Sequence, residues 1–288
     1  MSTIDESTTG ESAEALVAEA RGWWHTDIID IHPGEIALRG YPIQDLIGNA
    51  GFVDTIWLMV QGELPTRARA ALFEAALVAS VDHGPQAPSI AIARMATTCG
   101  APVNGAMASA INVLDDIHGG PGQQCMEIYL EIDAELDSAG DVREATRRVL
   151  QRHRDAGLTY VPGFGHRFHP LDPRTPRLLS LVDDAVAQGE IDGRFAEIGR
   201  AVEDEISHGR TRRIPMNVDG VTAVIYCELG LPPELGRGVF ILARSVGILA
   251  HAYEQMTQGV RIKGPLPKSL GYTYTGPARR AVPKETDQ

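Results

Sequence analysis

A chain of 288 residues that is 43% hydrophobic and 22% charged has material for a substantial core and reads as one large globular domain or two unequal ones. Its formal charge of -12 argues against a nucleic-acid surface or a polybasic membrane contact, since either needs a basic face. The three cysteines Cys99, Cys125 and Cys227 are odd in number and lack CxxC spacing, which argues against a disulfide framework or zinc site and for a cytoplasmic protein.

The acidic start "MSTIDESTTGESAEALVAEA" lacks the basic residues and apolar run of a secretory signal. No stretch reaches roughly 18 uninterrupted apolar residues, so no membrane span is expected. "DIIDIHPGEIALRG", residues 27–40, reads as short strands forming a small hairpin. From there on, apolar residues recur at helical spacing in "FVDTIWLMVQGEL", "RARAALFEAALVASV", "VNGAMASAINVLDDI", "VREATRRVLQRHRDA" and "GRGVFILARSVGILAHAYEQM". Thr66 is a candidate cap for the second of these, "IHGG" ends the third with glycines, and "LPPELGRG" sets prolines before the last. With no repeat and no low-complexity segment, the expected fold is all-α.

Several residues on this frame admit both a structural and a chemical reading. His83 is placed at the end of the helix that starts at Arg67. His118 is placed at the C-terminal end of a helix over Val103–Ile117, where it meets unpaired carbonyls or, with one ring nitrogen fixed, offers the other N–H to a developing oxyanion. The proline- and glycine-broken loop "VPGFGHRFHPLDPR" gathers His166, Arg167 and Arg174, a density that suggests an anion site, although Arg174 could instead close onto Asp172. Asp219 fits an N-cap or Asx turn and equally a proton acceptor, with Arg212 and Arg213 just upstream as phosphate ligands. Arg244 interrupts an apolar helix and needs an anion, either Glu254 or another acid, or a ligand for which Gly247 leaves room. No HExxH-like spacing suggests a metal.

Together these segments resemble the citrate synthase superfamily from about Gly34 to Pro277. "RGYPI" and "GELPT" resemble its N-terminal signature, "DHGPQAPS" its DHxxNxS segment, "IHGGPGQ" its HGGANE, "PGFGHRFHPLDPR" its PGFGHRVYKxxDPR, "MNVDG" its PNVD and "ARSVGILAHAYEQ" its ARxxGWxAHxxEQ. The resemblance implies an all-helical homodimer. It divides each chain into a large domain (1–121 and 230–288) and a small mobile one (122–229), with the active site in the cleft. It also implies roles. His118 would polarise a thioester carbonyl, Asp219 would move the proton at the acyl carbon, and His166 would serve the oxygen of the oxo-acid part. His83, Arg174 and Arg244 would bind that partner's carboxylates, while Arg167, Arg212 and Arg213 would meet coenzyme A phosphates. The implied ligands are a CoA thioester as substrate and a 2-oxo acid or its adduct, with no tightly bound cofactor and no metal.

Departures narrow the resemblance. The usual asparagine and acid of HGGANE are Gly122 and Gln123, and the GHR loop is one residue shorter. No arginine precedes Pro267 where the family has RPxxxYxG, leaving Arg261, Lys263 or Lys268 as replacements. The short length, "MNVDGVTAV" and "GVFILARSVGILAHAYEQ" look closer to citryl-CoA lyases and the citrate-synthase-like domain of ATP-citrate lyase. A citryl-CoA lyase is therefore the first expectation. A citrate or 2-methylcitrate synthase is the second, and a non-catalytic CoA-binding dimer the third.

Overall fold

The computed structural model describes residues 15–20, 23–166 and 169–282, with Lys268 described in its backbone only. The fold is mostly helical, as the periodicity predicts. Two compact units divide the chain: residues 1–79 with 122–237, and residues 80–121 with 238–288.

In the first unit the expected hairpin forms, β1 (Ile29–His32) pairing antiparallel with β2 (Glu35–Leu38) around Gly34, whose φ of 86° suits a tight turn. A two-residue strand β3 (Tyr41–Pro42) adds to the β2 edge and leads into α1 (Ile43–Leu46). Helix α2 (Phe52–Gln61) is held at its start by the Asp54 carboxylate, which takes the Gly51 N–H at 2.8 Å. Thr66 caps α3 (Arg67–Ser80), its hydroxyl accepting the Arg69 N–H at 3.2 Å. Trp57 of α2, Phe73 of α3 and Tyr226 pack edge to face at 5.4 and 6.3 Å between centroids, tying the N-terminal helices to the unit's centre.

That centre is α10 (Val218–Glu228), in which every residue from Gly220 to Cys227 is buried. A helix apolar on all sides must be surrounded, and α8 (Arg174–Ala187) and α9 (Arg194–Ser207) lie against it. α7 (Val142–Asp155), capped by Asp141, packs on α9 in turn, while α6 (Pro121–Ala139) places Cys125 beneath the loop at Gly163. At its end α10 caps its neighbour: Glu228 accepts the N–H groups of Gly193, Phe195 and Ala196 at the start of α9.

The second unit is built on α4 (Pro88–Thr98) and α5 (Val103–Ile111), joined through Gly100, and on most of the long α11 (Pro233–Thr257), which passes from one unit to the other after Arg237. Its core is rich in alanine: Ala87, Ala93, Ala106, Ala110 and Ala252 surround Ile90, Leu114 and Ile248. By length and composition α11 could cross a bilayer, but Ile248 and Ala252 on one face are fully buried in this core. Beyond α11 the chain docks on α4, Ile262 and Lys263 donating their N–H groups to the Thr98 carbonyl and hydroxyl at 2.9 and 3.0 Å.

One element is shorter than its periodicity predicts. The helix expected over 103–117 ends at Ile111, because polar side chains compete for the backbone beyond it and Pro121 opens the next helix. The Asp115 carboxylate takes the Asp116 N–H at 2.9 Å and its carbonyl takes the Gly120 N–H at 2.9 Å, so 112–120 forms a compact turn. His118 accordingly sits within this turn and not at a helix end.

Candidate active site

The second unit holds His118, His83 and Arg244. The imidazole of His118 reaches the start of α4, where its Nε2 accepts the Ser89 N–H at 3.2 Å and lies 3.0 Å from the Ser89 hydroxyl. A backbone N–H can only donate, so Nε2 carries no proton and the neutral ring is protonated at Nδ1. Burial, with the charges of Arg244 and His83, holds His118 below the usual imidazole value. The ring is thus a neutral N–H donor of fixed tautomer, the state suited to stabilising an oxyanion without prior ionisation.

Arg244 is 5% exposed and solves its burial without Glu254. Its Nε donates to the Ser80 carbonyl at 2.9 Å and its guanidinium lies 5.0 Å from the Phe240 ring centroid, while Glu254 pairs with Arg94. The space at Gly247 is not left for a ligand either: a Cβ there would meet the Val81 carbonyl at 2.3 Å, so the glycine admits protein backbone. His83 sits just past α3, exposed in the turn that leads to α4.

The first unit holds His166, Arg174 and Asp219, brought together by a zipper between two loops. Gly165 N–H donates to the Pro215 carbonyl at 2.7 Å, Asn217 N–H to the Gly163 carbonyl at 2.9 Å, and the Asn217 amide to the Gly165 carbonyl at 2.7 Å. Gly220 permits this approach, since a Cβ there would lie 2.3 Å from the Gly163 carbonyl. The cap of α10 is Asn217, whose side chain accepts the N–H groups of Asp219 and Gly220, and this corrects the expectation that Asp219 caps the helix. Asp219 occupies the first turn instead, where the helix dipole favours a carboxylate.

His166 accepts the His169 N–H on Nδ1 at 3.0 Å, which places its proton on Nε2. Burial and the neighbouring His169 and Arg174 lower its affinity for a second proton, against the opposing pull of Asp172. Arg174 grips Asp172 in a fork, Nε to Oδ1 at 2.9 Å and Nη2 to Oδ2 at 2.7 Å, and donates to the Ala79 carbonyl at 3.1 Å. The structure therefore realises the pairing with Asp172, and an N–H remains on each terminal nitrogen for a ligand.

Asp172 also accepts the Val218 N–H at 3.1 Å, which makes it the link between the histidine loop and the start of α10. Despite burial, Arg174 and the backbone N–H groups lower its carboxyl to about 2. Its stabilising effect is then full above the unfolded value near 4 and is lost as pH falls through about 2. Asp172→Asn is expected to cost roughly 3 kcal/mol at neutral pH. Parallel acid titrations of unfolding should show wild type and variant converging over that window.

Of the cations assigned to phosphates, Arg213 is turned onto Glu203 and Asp204 at 2.6 Å each, and Arg212 is exposed. Arg167 lies outside the described residues. Among the described residues no three His, Cys, Asp or Glu side chains cluster as metal ligands. Residues that sequence reasoning left without a role include Ser89, Asp172 as a hub, Asn217 and the pair Arg94 and His251. A serine directly after the helix-opening Pro88 was the signal available for Ser89.

Residues 20–75 and 67–265 match the family model described as citrate synthase, C-terminal domain. The chain belongs to the citrate synthase family. Within that family it is similar to the solved citryl-CoA lyase of Hydrogenobacter thermophilus, with 32% identity, a TM-score of 0.78, and coverage of 90% of this chain and 97% of that one. ATP citrate lyase of Methanosaeta concilii, solved with (3S)-citryl-CoA, shares the fold at a TM-score of 0.72 and 19% identity over 96% of this chain and 45% of its own. The citrate synthase of Haloferax volcanii is 31% identical over 199 residues, 68% of this chain and 49% of its own length. This citrate synthase family chain thus spans about half the length of that curated relative.

Proposed function

We propose that the chain is an enzyme that cleaves citryl-CoA, a 3-hydroxy-3-carboxyacyl-CoA, to acetyl-CoA and oxaloacetate. The observation that carries this reading is its similarity to the citryl-CoA lyase, nearly all of which it spans, against half of the synthase relative. The reaction requires the His118 set and the His166–Asp219 set to act on one substrate molecule. His166, once its own proton has moved to Nδ1, takes the hydroxyl proton at Nε2, and as the carbon–carbon bond breaks its electron pair moves to the thioester carbonyl, where the Nδ1–H of neutral His118 stabilises the enol oxygen. Asp219 delivers a proton to the acyl carbon, and the oxo acid leaves with its carboxylates on His83, Arg174 and Arg244. Arg167, Arg212 and Arg213 would meet the CoA phosphates, Arg213 after release from its acids.

The second reading is a citrate-type synthase, the activity for which the Haloferax volcanii relative is named. With Nδ1 occupied by the His169 N–H, His166 presents Nε2–H, the state that donates to an oxo-acid carbonyl. Taking the hydroxyl proton of citryl-CoA requires the other tautomer and release of that contact. Product analysis separates the readings. Incubation with citryl-CoA should give acetyl-CoA and oxaloacetate faster than citrate, whereas release of citrate and free CoA as the main products would identify a synthase.

The working unit is proposed to be a homodimer. Leu242, Val246, Leu249, Tyr253 and Met256, each 40% exposed or more, follow one another at alternating four- and three-residue steps along α11. A stripe with that spacing is complementary to a copy of itself across a two-fold axis. Sedimentation should give twice the 31.0 kDa chain mass, and Leu249→Asp should shift it to monomer. A wild-type monomer at micromolar concentration would overturn the assignment.

A further inference from the structure

One side of α11 grips the segment that carries His83 at successive points. Arg244 Nε holds the Ser80 carbonyl at 2.9 Å, Gly247 lets the Val81 carbonyl approach, and His251 Nε2 lies 3.2 Å from Asp82 Oδ2. The same Asp82 oxygen accepts the Gly84 N–H at 3.2 Å, closing an Asx turn with His83 at its centre. On the far side of the imidazole, Arg94 Nη1 donates to His251 Nδ1 at 3.0 Å, which leaves the ring proton on Nε2, facing Asp82. Arg94 is itself fixed by Gln255 at 3.1 Å, by Gln258 at 3.2 Å and by Glu254. His251, Asp82 and Arg94 are only partly exposed, at 19%, 38% and 13% of their side chains, so the chain of contacts is sheltered.

We propose that His251 is a positioning residue that acts through Asp82 to fix the turn presenting His83. The Nε2–H of His251 and the Gly84 N–H converge on one carboxylate oxygen of Asp82. Although partial burial works against it, the His251 and Gly84 contacts, with the His83 backbone N–H, hold the Asp82 carboxyl below the usual range, so it stays a full acceptor at neutral pH. Side chains supporting a ligand-binding residue in this way govern affinity by holding its geometry, with no contact to the ligand.

This inference rests on the reading that His83 binds a carboxylate of the oxo acid. The test is calorimetric titration of oxaloacetate into the full chain for wild type, His83→Ala, His251→Gln and His251→Met, with thermal melts of each. Glutamine keeps a donor near the Nε2 position and methionine keeps the length without it. His251→Met should weaken oxaloacetate binding about tenfold or more, and His251→Gln should stay within about threefold of wild type. Equal losses in the two variants, or wild-type affinity in His251→Met, would overturn the positioning role. Failure of wild type to bind, or no effect of His83→Ala, would instead overturn the functional reading and this inference with it.

Discussion

Asp219→Asn is expected to bind citryl-CoA or oxaloacetate as wild type does and to lose turnover by about 100-fold or more, the usual contribution of a positioned acid or base. The substitution spares the helix cap, because Asn217, not Asp219, caps α10 and makes the zipper to Gly163 and Gly165. An amide keeps the shape of the carboxylate but exchanges no proton, which separates binding from chemistry. Quenched single-turnover reactions beside equilibrium titrations measure both. A fully active variant would mean that the acyl carbon takes its proton from another group.

His118→Ala is expected to reduce turnover by about 100- to 1,000-fold, as loss of an oxyanion donor does. Ser89→Ala should change little, since the contact that fixes the tautomer is the Ser89 backbone N–H. The pH profile carries the same argument. Protonating His118 would put a second donor opposite that N–H, and both His118 and His166 lie below the usual imidazole value of about 6.5. With a lowered affinity for protons the neutral, active forms persist below that value. The acid limb of kcat should therefore fall below pH of about 6.5 and steepen as both rings protonate. An unfolded chain takes up these protons first, so acid also weakens the fold over the same range. A limb displaced above the usual imidazole value would contradict the roles given to both rings.

Much of this was legible in the sequence for specific reasons. The hairpin at residues 29–38 announced itself by apolar residues around Pro33-Gly34, and α3 by Thr66 before an apolar period. Family motifs singled out His118, His166 and Asp219. Periodicity failed where burial is total or side chains are small: α4 packs through alanines, and α10 is apolar on nearly every face, so neither carries a contrast between two sides. Helix length failed at 112–120 because Asp115 turns the chain by local hydrogen bonds that hydrophobic spacing does not register. Partners failed as well. Glu254 sits near enough in sequence to pair with Arg244, yet it meets Arg94, which arrives from a helix 160 residues earlier.

The central claim is that the thioester's acyl carbon passes through an enol held by His118 and protonated by Asp219, and cleavage of citryl-CoA in D2O tests it most directly. Mass spectrometry of the product should show acetyl-CoA carrying one solvent deuteron on its methyl group for each turnover, with the Asp219→Asn rate falling in step. Acetyl-CoA formed without deuterium, or deuterium uptake at the wild-type rate in Asp219→Asn, would contradict it.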